Sequence, residues 1–348
     1  MPLSRDLLRR LPKAELHVHL DGSLRPPTMV ELAGEQGKSG LLPSTDPAEL
    51  GRLMRADDAR NLEEYIGKFE ITVALMQSAD ALERIAYELA EDCAREGVRY
   101  VEVRYSPILN IREGLPLTEA VRAPLRGLAR AEEEHGIRTA IIVCGIRNME
   151  PATSRDLADL TVAFKGRGVV AFDLAGAEYN YPAKKHKDAF FTVINKNMAT
   201  TIHAGEAYGP ESIHQALHYC RANRIGHGTR LHEDPDLMRY VKDFRIPLEI
   251  CPTSNVQTGA VPSLAEHPLR DYYDEGLVVT LNTDNRLISG TTLTDEYLGV
   301  HEHLGFTWDE LVEVARMGFE SAFLHWDEKR AMLARFDEEV KELGAEGA

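Results

Sequence analysis

The sequence predicts an α/β protein of the (β/α)8 TIM-barrel class, with extra helices inserted after the first strand and carboxy-terminal helices packed outside. Three observations predict it. Eight strand-like segments recur between residues 15 and 284. Stretches with apolar residues at helical spacing separate most of them. No Gly-x-Gly-x-x-Gly turn follows the first strand, as an open doubly wound sheet for a dinucleotide would carry. One barrel accounts for residues 1–348 without a change of composition that would divide them.

The first segment is Ala14-Glu15-Leu16-His17-Val18-His19-Leu20-Asp21-Gly22. Side chains alternate along a strand, so His17 and His19 share one face while Leu16, Val18 and Leu20 take the other. By itself a His-x-His pair is more often structural than ligating, and its meaning depends on what other strands bring beside it. A mostly helical excursion follows over residues 24–97. It contains a short amphipathic piece from Thr28 to Gly34, a Gly-, Ser- and Pro-rich loop over 37–47, and apolar residues at helical spacing from Leu62 to Cys93. At the end of a first strand such an insertion is placed to act as a lid.

From residue 99 the alternation is regular. Arg99 to Ser106 reads as a strand, Leu117 to His135 as a helix, Arg138 to Ile146 as a buried strand and Ser154 to Lys165 as a helix. Val169 to Gly176 and Ala199 to Glu206 are the next strands, and Lys184-Lys185-His186-Lys187 between them is a solvated loop or a helix start. A helix from Glu211 to Asn223 leads to the strand Arg224 to Gly228, and one around Asp236 to Asp243 leads to Pro247 to Pro252. Val278 to Asp284 is the eighth strand, and helices between Thr307 and Leu343 close the chain outside the barrel.

In such barrels the chemistry sits at the carboxyl ends of the strands. His17 and His19 end the first, Gly176 the fourth, His203 and Glu206 the fifth, His227 the sixth and Asp284 the eighth. Four histidines and two acids thus converge on one mouth, which separate structural roles do not explain. Imidazoles plus a carboxylate suit Zn2+ with a position left open for water. Three neutral histidines and one aspartate leave about one net positive charge to acidify that water. The other histidines lack this context. His214 and His218 are four apart but without the Glu of a His-Glu-x-x-His helix, and His301-Glu302-His303 lies in a helical stretch where residues two apart diverge. His135, His186, His232, His267 and His325 carry no readable signal.

A net charge of −16 disfavours nucleic acid and anionic membranes as partners. Cys93, Cys144, Cys220 and Cys251 form no Cys-x-x-Cys pair and read as reduced structural thiols. The start, Met1-Pro2-Leu3-Ser4-Arg5-Asp6, has no apolar signal core, and no later apolar run is long enough to span a bilayer. The expectation is a cytoplasmic enzyme for a small molecule, monomeric or a weak homo-oligomer.

Six pieces occur together across nearly the whole chain: Pro12 to Gly22, Tyr100-Val-Glu-Val-Arg-Tyr-Ser-Pro107, Phe172-Asp-Leu-Ala-Gly176, His203-Ala-Gly-Glu206, Arg224-Ile-Gly-His-Gly228 and Leu281-Asn-Thr-Asp284. In content and order they resemble the adenosine deaminase family of metal-dependent amidohydrolases. The resemblance implies one Zn2+ held by His17, His19, His203 and Asp284, with Glu206, His227 and Asp284 as catalytic residues. It implies hydrolytic deamination at C6 of a purine nucleoside, within purine metabolism. By the same resemblance Glu206 would give a proton to N1, and His227 would orient the attacking hydroxide or take its proton. Gly176 offers its backbone N–H to N3, where a side chain would obstruct the ring. His19 also faces the substrate, and Asp21 accepts a hydrogen bond from the 5′-hydroxyl and repels a 5′-phosphate.

Animal members read Thr-Asp-Asp-Pro at the last strand, where this chain has Thr283-Asp284-Asn285-Arg286. The amide of Asn285 donates to N7 without needing a proton, and Arg286 alters the rim. Related enzymes act on adenine or on 6-amino-6-deoxyfutalosine; Asp173 to Gly176 favours a nucleoside-like substrate. A two-metal hydrolase would need a lysine at the end of the fourth strand, and Asp173 to Gly176 has none. A binding protein without activity would need neither Glu206 nor His227.

Overall fold

The computed structural model describes residues 3–346. Eight strands, β1 (Lys13–His19), β2 (Val98–Tyr105), β3 (Arg138–Ile146), β4 (Val169–Ala175), β5 (Ala199–Ala204), β6 (Arg224–His227), β7 (Leu248–Ile250) and β8 (Val279–Leu281), pair in chain order. Every pairing is parallel. A bridge between Val18 and Asp284 joins the last strand to the first. There the His19 amide donates to the Asp284 carbonyl at 2.7 Å and the Asp284 amide donates to the His17 carbonyl at 2.9 Å. The seam that closes the barrel therefore runs through three of the expected metal ligands.

Alternation along the strands sorts apolar from polar. Leu16, Val18, Val101, Val103, Phe172, Leu174, Ile202, Ile225, Leu248 and Ile250 are fully buried. They face the surrounding helices, as the edge-on ring contact of Phe172 with Phe190 of the helix Lys187–Ile194 shows. The inward positions are charged instead. Glu102, Arg104, Asp173, Arg224 and Glu249 lie inside the barrel with 1% exposure or less. Arg104 donates to Asp173 at 3.1 Å and to Glu249 at 2.8 Å, and Arg224 donates to Glu249 at 2.6 Å and pairs with Glu102. Buried charges are tolerated when paired in this way.

The expected helical excursion is present, broken into pieces. Helices span Pro26–Glu35, Pro47–Met54, Leu62–Gly67, Phe69–Leu75 and Ala79–Arg95. Apolar spacing is continuous across the breaks, but Asn61 and Ser78 sit in extended backbone and accept the amides of Glu64 and Ala81 as N-caps. Further helices at Lys187–Ile194, Pro252–Gln257, Leu269–Asp274 and Leu293–Leu304 complete the shell. The basic run over 184–187 is the helix start among the two readings, with His186 buried beneath it against Ser154.

Candidate active site

β1 delivers its two histidines as the alternation predicts. His17 and His19 point into the mouth beside His203 at the end of β5; His203 Nε2 lies 3.0 Å from Nε2 of each. Asp284 Oδ1 is 3.4 Å from both His17 Nε2 and His19 Nε2. Alternation would turn His227 toward the helices with Ile225. Its φ of 63° breaks the pattern and swings the ring to the mouth, 4.8 Å from that of His17. Asp284 has φ 59°. Positive φ is unfavourable outside glycine, and two of the residues that adopt it here carry the chemistry.

Carboxylates behind the histidines fix their tautomers. Glu249 sits 2.9 Å from His17 Nδ1, and Asp173 sits 3.0 Å from His203 Nδ1. Each ring donates Nδ1–H backward, which leaves a lone pair on Nε2 facing the mouth. Burial acts to raise the pKa of both acids; against it, Arg104 and His203 hold Asp173 far below the usual carboxylate range, and Arg104 and Arg224 do the same for Glu249. Asp284 is also held well below that range despite its burial, through the hydrogen bond and charge of His17 and the charge of His19. Its second oxygen accepts from Ser254 Oγ at 2.7 Å.

These donors fit a metal ion. Two lone pairs on nitrogens 3.0 Å apart repel unless a cation lies between them. Ligands of a tetrahedral Zn2+ at about 2.1 Å are about 3.4 Å apart, close to the 3.0–3.4 Å found among His17, His19, His203 and Asp284. His17, His203, His227 and Asp284 also form a cluster with donor atoms within 4.8 Å. Distance alone thus leaves His19 and His227 as rivals for one position.

Above these donors lies a cleft of about 620 Å³ whose lining includes His19, Asp21, Gly176, His203, Glu206, His227, Asp284 and Asn285. Every site residue expected from the sequence is there except His17, which is buried beneath the others with no exposure. Leu62, Tyr65, Ile66 and Phe69 of the excursion add an apolar wall. A larger groove of about 2020 Å³ at the amino-terminal ends of the strands, beside Arg138, Lys165 and Asn197, contains none of these groups.

Glu206 is 4% exposed. Thr258 donates to its Oε1 at 2.9 Å, and Oε2 lies 3.6 Å from His227 Nε2. Burial, then the charges of Asp284 and Glu178, push its carboxyl well above the ordinary range, which favours the protonated form. Glu178, unmarked in the sequence reading, accepts the amides of Gly205, Glu206, Ala207 and Tyr208, which fixes the loop that carries Glu206. Asp21 is 8% exposed and its Oδ1 has no hydrogen-bond partner, with His19 Nδ1 3.9 Å away.

Asn285 and Gly22 meet closely: a Cβ on Gly22 would lie 1.8 Å from Asn285 Oδ1, so only glycine fits. Asn285 Nδ2 is 2.8 Å from Tyr65 OH while its Oδ1 is buried without a partner. Arg286 does not alter the rim. It is absent from the cleft lining and pairs with Glu96 instead.

Sequence reading missed Asp173, Glu249, Arg104, Glu178, Ser254 and Thr258. One signal was available for Arg104: it alternates with Val101 and Val103, on the same face as Glu102, the sign of charges facing inward. His214 and His218 stack on each other at 4.4 Å, on the exposed side of their helix and away from the mouth.

A closed parallel barrel with histidines and an aspartate gathered at its carboxyl mouth, and a buried acid of raised pKa beside them, defines a metal-dependent hydrolase. The chain belongs to the adenosine deaminase family, whose model matches residues 12–339, and is a hydrolytic deaminase. A relative from Mycobacterium marinum, named adenosine deaminase, is 43% identical over 97% of this chain and 96% of its own length. Two solved structures share the fold. An adenine deaminase from Arthrobacter aurescens has a TM-score of 0.88 at 28% identity, covering 95% of this chain and 99% of its own. An amidohydrolase from Burkholderia ambifaria with bound Zn has a TM-score of 0.86 at 28% identity, covering 99% and 96%.

Proposed function

We propose that this enzyme hydrolyses adenosine and 2′-deoxyadenosine to inosine, or 2′-deoxyinosine, and ammonia, using one Zn2+ held by His17, His19, His203 and Asp284. The observation that carries the reading is the pairing of a buried Glu206, its pKa raised by that burial, with the histidine–aspartate cluster in one cleft. Zinc is favoured by the nitrogen-rich donor set and by the zinc-bearing amidohydrolase of the same fold. When bound, such an ion supplies a water acidified toward neutrality.

The chain's own residues do the rest. Glu206 gives its proton to N1, which draws electrons from C6 and opens it to attack. His227 and Asp284 hold the water whose oxygen bonds to C6; of its two protons one passes to the 6-amino group, which leaves as ammonia as its C–N bond breaks, and the other restores the proton of Glu206. Gly176, at φ 94°, presents its backbone N–H to N3, and the side-chain amide of Asn285, which lines the cleft, donates to N7. Asp21, with its unpartnered buried oxygen, accepts from the 5′-hydroxyl.

A nucleoside fits better than a nucleotide, because no lysine or arginine is among the residues lining the cleft and Asp21 would face the phosphate. Adenine leaves Asp21 unpaired, and the 43% relative bears the nucleoside's name while the adenine deaminase stands at 28%. Among the described residues no helix is long and apolar enough to cross a membrane, and all four cysteines are free and buried. Both observations support a cytoplasmic setting. In a panel of adenosine, adenine, AMP and 6-amino-6-deoxyfutalosine, kcat/KM for adenosine is expected to exceed each of the others by about 100-fold or more. Equal or faster turnover of any of them contradicts the substrate assignment.

A further inference from the structure

A buried backbone amide behind the site sets the direction of a chain of hydrogen bonds that ends on His227. Leu269 opens the helix Leu269–Asp274, where an amide has no intrahelical partner. It donates to Nδ1 of His267 at 3.1 Å. A backbone N–H can only donate, so Nδ1 of His267 carries a lone pair and its single ring proton is on Nε2. That Nε2–H lies 3.2 Å from Asn255 Oδ1, which must accept it. The orientation of the Asn255 amide is thereby fixed, and its Nδ2 donates to Nδ1 of His227 at 3.1 Å. Nδ1 of His227 then also carries a lone pair, and the ring proton is on Nε2. An imidazolium at either histidine would set two donors face to face, so both rings are neutral. Burial agrees for His267, whose pKa is pushed down to about 3.

We propose that Asn255 and His267 are positioning residues that lock His227 in its Nε2–H tautomer. Neither reaches substrate: Asn255 is fully buried, His267 is 3% exposed, and neither lines the cleft. Their effect passes through His227 alone, so the proposal rests on the role given to that residue above. Two consequences follow. A nitrogen that already holds a hydrogen cannot ligate, which resolves the rivalry of distances in favour of His19 as the third imidazole ligand. His227 also enters the reaction as a hydrogen-bond donor, holding the attacking oxygen through Nε2–H beside Glu206 Oε2 at 3.6 Å.

The test is long-range proton–nitrogen correlation on zinc-loaded protein labelled with 15N-histidine, which reads the tautomer of each ring without any turnover. The wild-type protein is expected to show His227 and His267 protonated at Nε2 and bare at Nδ1. Asn255→Asp keeps the shape and can still accept from His267 but has no hydrogen for His227, whose proton is expected to move to Nδ1. With it kcat is expected to fall about 100-fold while KM for adenosine stays within about threefold. His267→Gln retains an N–H toward Asn255 and is expected to preserve both the His227 tautomer and most of kcat. Wild-type His227 protonated at Nδ1 overturns the proposal even if the variants do not fold. So does Asn255→Asp with the Nε2–H signal intact and kcat within about threefold. Failure of the adenosine assignment leaves the spectrum readable, so the two claims fail separately.

Discussion

Replacing Glu206 with Gln lowers kcat by about 1000-fold or more and leaves the metal content of the protein unchanged. The residue touches none of the four proposed ligands; its contacts are Thr258, His227 and the amide cradle of Glu178. Gln preserves those contacts in shape and removes only the transferable proton. The sign of the pH dependence follows from the direction of the shift. Burial raises the carboxyl, so the proton-loaded form persists to higher pH than that of an ordinary glutamate, and kcat falls as pH rises through the elevated value. An ordinary glutamate would already be ionised at pH 7. Metal analysis and steady-state kinetics on the variant check this. Activity within about tenfold of wild type removes Glu206 from its role as proton donor.

Arg104→Leu destabilises the folded protein by about 3–5 kcal/mol. Arg104 is fully buried and donates to Asp173, Glu249 and the Leu16 carbonyl. Removing it strands two carboxylates whose low pKa values depend on its charge. Those carboxylates also hold the His17 and His203 rings, so metal affinity falls by about 10- to 100-fold as well. Urea midpoints on metal-loaded protein, compared at unchanged m-value, measure the stability loss. A shift under about 1 kcal/mol shows that the interior charges do not depend on Arg104.

What the sequence makes legible here is the periodic part. The eight strands and the facing of His17, His19 and His203 follow from strand alternation, while Glu206, His227 and Asp284 follow from the rule that barrel chemistry sits at strand ends, His227 against the alternation. The charges behind them are harder to see, because their meaning lies in pairing across the barrel. Arg104 and Glu249 are 145 residues apart in the chain, and His17 and Glu249 are 232 apart. His267 looks featureless for the same reason: its neighbour Asn255 gains significance only when the positive φ of His227 turns that ring toward it. Helix breaks at Asn61 and Ser78 are masked by apolar spacing that runs through them, although both residues are ordinary N-caps. The His19 and His227 alternatives show a limit of distance itself, since a proton that no heavy-atom position records decides between them.

The central claim is metal-dependent hydrolysis of adenosine at this one cleft. The direct measurement strips the protein with a chelator, returns Zn2+ in sub-stoichiometric steps, and follows adenosine absorbance and released ammonia at each step. The account predicts no turnover in the stripped protein, a linear rise that stops at one Zn2+ per chain, and one ammonia for each inosine formed. Adenosine left intact at one equivalent of bound Zn2+, or turned over equally well after the metal is removed, contradicts it.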